Sequence, residues 1–287
     1  MLPFSLRIAV LLIIALAYAL LDVFNKRNVP DAFAYAALAV GVVVTLTYPV
    51  SVIYLSVLVA AAIGLFGYIV YRAGLMGAGD FFEFVTISLL LPVQPAAILS
   101  GIPQLNFPFI FSVLIAAGYT AVIGMVVYYL AKAAKSGVLE RYRVERRKLY
   151  SGLAIAVAYL VLLFLLSWIT GFRPAAAFVI LLIAAASALT IFFEKAINKE
   201  MVSYVYPNRL SEGDMIATNL MKDDELAFFK KRSKGFSRLA TKKLIGEIKG
   251  VKRKMPVYTE GVPLALFALI GIVISLLFGN LLLYLIL

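Results

Sequence analysis

Apolar runs of about 20 residues recur along this chain, and no other feature limits its fold as severely. A helix needs roughly 20 residues to cross about 30 Å of hydrocarbon at 1.5 Å per residue. Runs near that length lie at about 4–24, 31–48, 51–71, 80–99, 108–131, 151–169, 174–194 and 262–287. In lipid every backbone polar group must be satisfied inside the element, so each run is expected as a helix. The expected fold is all-α: a polytopic helical membrane protein with about eight transmembrane helices and a small cytoplasmic segment. Composition agrees, since 63% of the residues are hydrophobic and 15% charged, against about a quarter charged in soluble domains.

The first run does not read as a cleavable signal, because Leu11 to Leu21 continues straight into Asp22 and a basic turn. Three regions follow: residues 1–194 with seven spans, a basic cytoplasmic segment at 195–261, and a last span at 262–287. Basic residues set the orientation. With the N-terminus outside and all runs crossing, segments 25–30, 72–79, 132–150 and 195–261 face the cytoplasm, and all but Arg7 and Arg173 of the 27 Lys and Arg residues fall in them. Both termini are then outside a multi-pass cell-membrane protein. The 80–99 run is interrupted by Pro92, Gln94 and Pro95 and is expected as a broken or kinked span. Treating it as re-entrant would export the Lys132–Lys148 cluster. In 195–261, helices are expected around Met215–Arg232 and Ser237–Lys249, with Ser211 and Asp214 capping the first. The basic residues there suit anionic lipid headgroups; nucleic acid is not an expected partner, because no aromatic platform accompanies the charge.

The chain has no cysteine and no histidine. That excludes disulfides, thiol nucleophiles, Ser-His or Cys-His pairs and zinc sites built on Cys or His. No metal or cofactor is expected, and the remaining chemistry runs on carboxylates, hydroxyls or lysines. Ionisable groups at membrane spans are costly and so are functional candidates. Asp22 ends the first span, Asp31 opens the second, Asp80 and Glu83 open the fourth, and Glu194 and Glu260 border the basic segment.

The interval from Asp22 to Asp80 accommodates two crossings with short turns, so the chain returns to the same face. Both aspartates are expected at one depth, on the cytoplasmic side. Two apposed carboxylates share a proton: one serves as base toward water while the other protonates a scissile carbonyl. Asp80 closes the string Gly77-Ala78-Gly79-Asp80, where glycines permit tight turning and close backbone approach. The plainer reading of that string is a turn whose aspartate caps a helix.

The string gains meaning from the stretch Asp22-Val23-Phe24-Asn25-Lys26-Arg27-Asn28-Val29-Pro30-Asp31 two spans earlier. Together they resemble the prepilin and preflagellin peptidases, whose first catalytic aspartate ends a helix before a basic turn and whose second closes a GxGD motif. The resemblance is close over residues 15–90. It implies a membrane aspartic endopeptidase that removes a short basic leader from type IV pilin-like or archaellin precursors. Asp22 and Asp80 take the catalytic positions, Val29-Pro30-Asp31 the turn after the first aspartate, and Gly77 and Gly79 the motif glycines. Gly261-Val262-Pro263 echoes a Gly-Ile-Pro-like start of a last span. Glu83 departs from the apolar or basic residues expected after the motif. Bacterial members often carry a cysteine-rich zinc region and also methylate; the cysteine-free chain is more similar to archaeal members. The implied partners are precursors with a basic leader and an apolar helix, and membrane lipids; nothing in the sequence fixes the oligomeric state.

Plainer roles stand beside these. Asp31 contacts leader residues or caps the second helix beside Pro30. Glu83 tunes the pair, binds a substrate Lys, or pairs with Arg72. Lys26 and Arg27 anchor topology. Presenilin-like intramembrane peptidases share GxGD, but place Tyr before the first aspartate, where this chain has Leu21, and Pro-Ala-Leu where it has Pro263-Leu264-Ala265-Leu266. An ion- or proton-coupled transporter would hold its carboxylates near the midplane rather than at span ends. A catalytically silent scaffold of the same fold is the third alternative.

Overall fold

The computed structural model describes residues 2–25, 29–99, 107–139, 142, 144–171, 174–233, 235–258 and 263–281. Helices α1 (Phe4–Phe24), α2 (Asp31–Thr45), α3 (Val50–Arg72), α4 (Ala78–Leu90), α5 (Phe109–Lys135), α6 (Arg146–Thr170) and α7 (Pro174–Phe192) follow one another and carry most of the apolar sequence. The short α8 (Glu194–Met201) comes next, and α11 (Leu264–Phe278) closes the described chain. Proline precedes α1, α2, α3, α5 and α11 as Pro3, Pro30, Pro49, Pro108 and Pro263. It lacks an N–H to satisfy, and its fixed φ leads the chain into the first turn.

Among the described residues four helices, α1, α3, α5 and α6, are long and apolar enough to cross a membrane. A fifth span results if α7 and α8, bent by 77° at their junction, are taken together. Helices α2 and α11 are apolar but have 15 residues each, about 22 Å of rise. The protein is an all-α polytopic membrane protein, apart from one two-stranded sheet among the described residues that the sequence does not announce.

The expected break in the 80–99 run is a full stop. Helix α4 ends at Leu90 after 13 residues, because Pro92 disfavours helical geometry at Leu91. A helix that ends inside the body leaves carbonyls that need donors. Three hydroxyls supply them: Ser56 to the Ser88 carbonyl at 3.3 Å, Thr45 to Leu89 at 3.0 Å and Tyr48 to Leu90 at 2.8 Å. The buried Arg7 lies over the Tyr48 ring at 3.6 Å, its cation near the negative end of the α4 dipole. The chain beyond then serves α11, where the Ile98 and Leu99 amides donate to the Leu276 and Leu277 carbonyls.

Helix α4 is the axis of the main core. Phe84, Ile87 and Leu90 pack with Leu11, Ala15, Val44, Val59, Phe109, Val113 and Ile272. Small residues let neighbouring helices approach: a Cβ on Gly67 would lie 2.5 Å from Phe81 Cβ, and one on Gly41 would lie 3.2 Å from Leu89 Cβ. Close small-residue contact is how helices associate when lipid is as apolar as their side chains.

Residues 202–258 form a separate unit. Strands β1 (Val202–Val205) and β2 (Met255–Tyr258) pair antiparallel, and α9 (Asp223–Arg232) and α10 (Lys242–Ile248) pack over them. Phe229, Ile216, Leu244, Ile248 and Met255 make its core. The expected helix from Met215 is shorter than foreseen. Residues 215 and 216 instead bridge to Leu239 and Val257, because the apolar side chains there are needed in the sheet layer. Asp214 does accept the Ser211 amide at 2.7 Å, but it closes a turn and starts no helix. Residues 195–201, assigned to the basic segment, are helical as α8, with Ala196 and Ile197 buried.

Candidate active site

Asp22 sits in the last turn of α1 and is only 3% exposed. The chain then turns back through Val29 and Pro30 into α2. Asp80 lies in the first turn of α4, where its Oδ2 accepts the Gly77 amide at 2.9 Å. The capping role expected as the plainer reading is therefore real, and it fixes one oxygen of the carboxylate rather than competing with a second role. A side chain at Gly77 would crowd that carboxylate, since a Cβ would stand 3.0 Å from the same oxygen.

Gly79 has a different task. A Cβ there would lie 2.8 Å from Val29 Cβ, so the bare backbone of the GAGD turn receives the Val-Pro turn that follows Asp22. The two aspartate-bearing loops interlock at this point. That contact explains why the pattern needs both Val29-Pro30 and Gly79, which are remote in sequence.

The structure brings together three carboxylates. Asp22, Asp80 and Glu83 are within electrostatic reach of one another. Glu83, one turn beyond Asp80, is 1% exposed and neither of its oxygens has a hydrogen-bond partner among the described residues. The alternative of pairing with Arg72 is thereby corrected, because Arg72 is exposed at the end of α3 while Glu83 faces the α1 side of the core. Tyr18, one turn before Asp22, is fully buried; its hydroxyl lies near Glu83 and Thr86, and its ring meets Phe33 edge-on at 4.9 Å. The sequence reading missed Tyr18. Its spacing of four from Asp22 puts both on one helix face and was the available signal.

Asp31 stands apart. It is exposed in the first turn of α2, favourable for the helix dipole, but makes no side-chain capping bond, and Pro30 holds the N-cap position. Lys26, Arg27, Glu260, Gly261 and Val262 lie outside the described residues. Glu194 is engaged by Lys148 at the start of α8. Among the described residues no group of three or more His, Cys, Asp or Glu side chains is arranged to hold a metal ion.

Chemically, the arrangement offers two acids from different helices, a backbone amide fixing one of them, and a third buried acid behind them. Residues 9–127 match the family model of the type IV leader peptidase family. The matched stretch includes Asp22, the Val-Pro turn, the GAGD string and Glu83, and ends within α5. No curated protein and no solved structure gives a significant match.

Proposed function

From the match of residues 9–127 to the type IV leader peptidase family we propose that the chain is a protease of the leader peptidase type acting on precursor proteins, with Asp22 and Asp80 as its catalytic pair. In this reading it is a membrane aspartic endopeptidase of the GxGD type. It removes the short basic leader of type IV pilin-like or archaellin precursors at the cytoplasmic face. The observation that carries the reading is the convergence of Asp22 and Asp80, separated by two helices in sequence, on one end of the body around interlocked turns.

The reaction follows from the carboxyl chemistry. With one proton shared between them, the ionised member takes a proton from water, and the resulting oxygen attacks the scissile carbonyl carbon. The protonated member supplies its proton to the carbonyl oxygen. Collapse of the tetrahedral species transfers a proton to the leaving amide nitrogen and breaks the C–N bond, regenerating the shared-proton state. Gly77, by donating its amide to Asp80 Oδ2, holds that carboxylate in place throughout. The expected substrate has a Lys/Arg-rich leader, a small residue at the cut and an apolar helix after it.

The orientation with both termini outside belongs to the same proposal, supported by the distribution of basic residues. The test is cleavage, in detergent or membranes, of a precursor with a basic leader and an apolar helix. The parent chain should cut it once, while Asp22→Asn and Asp80→Asn should insert normally and not cut. Full cleavage by either variant would sink the pair.

A further inference from the structure

The unit at 202–258 is an insertion whose ends meet. Val202 and Tyr258 are direct partners across the antiparallel pair, so the chain leaves the helical body and returns at one place. Between them lies a unit with its own core. It touches the body at a telling position. A Cβ on Gly74 would lie 3.0 Å from Arg238 Cβ and 3.2 Å from the Leu239 amide nitrogen.

Gly74 ends α3 in a Schellman arrangement: φ is +67°, its amide donates to Tyr71 O at 2.8 Å, and the Leu75 amide reaches Val70 O at 3.2 Å. Only Leu75 and Met76 separate it from Gly77, whose amide holds Asp80. The Arg238–Leu239 edge is equally fixed, because the Ile216 amide donates to Arg238 O at 2.7 Å and the Ala240 amide to Asp214 O at 2.9 Å. Two rigid pieces of backbone meet without an intervening side chain on the Gly74 side. The turn that delivers Asp80 is thus held from two directions, by Val29 against Gly79 and by the insertion against Gly74.

We infer that residues 202–258 act as a brace on the turn carrying Asp80, with the Arg238–Leu239 edge as its positioning contact. This rests on the leader peptidase reading for its catalytic consequence, though not for the contact itself. Misplacing a reacting group by about 1 Å can cost on the order of 100-fold in rate, and Asp80 is a few residues from the braced point.

The absence of cysteine allows a test in the full chain with Gly74→Cys and Arg238→Cys, the oxidised form being compared with the reduced form of the same variant so that the strain of a side chain at φ +67° is common to both. Disulfides favour Cβ separations of about 3.5–4.5 Å, within a small adjustment of the present approach. Oxidation should cross-link the variant, and the oxidised form should cleave precursor at the rate of its reduced form, because docking is the active arrangement. A companion variant replaces 203–257 by Asn-Gly, a two-residue turn suited to partners across a hairpin. It should lose at least tenfold in kcat with KM changed less than threefold. Absence of the cross-link, a cross-linked enzyme silent until reduced, or an inserted companion with unchanged kcat would each overturn the brace. Should the companion not insert, the cross-link decides alone. The cross-link is read without activity, so a parent chain that fails to cleave sinks the peptidase reading and leaves the contact to be judged separately.

Discussion

The helical body and the 202–258 insertion solve the same problem in opposite solvents. In the insertion, Phe229, Leu244 and Ile248 turn one stripe inward while α9 and α10 expose Lys230, Lys231 and Lys243, the arrangement that water enforces. In the body, α6 leaves Phe164 and Ile169 outward, with Trp168 81% exposed. Apolar side chains there gain little by turning inward. What holds the body is close approach at Gly41, Gly67, Gly124 and Gly271, and donors wherever a helix stops. The difference teaches where each region is fragile: the insertion in its core volume, the body at its small residues and hydroxyls.

The sharpest way to break the comparison is Phe229→Ala, which removes a fully buried ring from the insertion. It should cost the insertion ~3–5 kcal/mol, read as rapid proteolysis between residues 202 and 258, with membrane insertion of the body unchanged. Next, Gly67→Leu places atoms where Phe81 Cβ stands and should displace the start of α4. Precursor cleavage should fall on the order of 100-fold while protease resistance of the insertion is kept; unaltered cleavage would mean that α4 tolerates a shift.

A smaller effect is expected from Tyr48→Phe, which leaves the Leu90 carbonyl without its 2.8 Å donor. The loss should be about 1–3 kcal/mol in unfolding of the body in mixed micelles, and none in the insertion. The smallest concerns the insertion's surface. The Arg253 guanidinium bonded to Asp224 at 3.0 Å holds its carboxyl below the usual range. A carboxyl held low favours the folded state above the ordinary value of about 4 and loses that contribution as pH falls through the depressed value. Arg253→Ala should return the Asp224 titration midpoint to about 4, followed by NMR of the side-chain carboxyl; an unmoved midpoint would remove the pair from the account.

Much of the body was legible because its signals are local. Pro92 marks the stop of α4 in the sequence itself, and Pro30, Pro49, Pro108 and Pro263 mark helix starts. The insertion was harder to read. Its helical periodicity around Met215 competes with a sheet layer that exists only once Val257 and Leu239 arrive from far along the chain. Likewise Asp22 and Asp80 are visible as a motif, whereas Glu83 looks on paper as able to reach Arg72 as to turn inward.

By itself the sequence determined that this chain is helical and membrane-embedded, that neither cysteine nor histidine is available to it, and which two aspartates to suspect, since run length, residue inventory and motif are read directly along the chain. The tertiary structure alone decided that Gly79 seats Val29, that Tyr18 and Glu83 back the pair, and that the basic segment is an insertion with joined ends set against Gly74. Those facts depend on which helix faces and turns meet, and contacts between elements distant in the chain are fixed by packing, which no local pattern encodes.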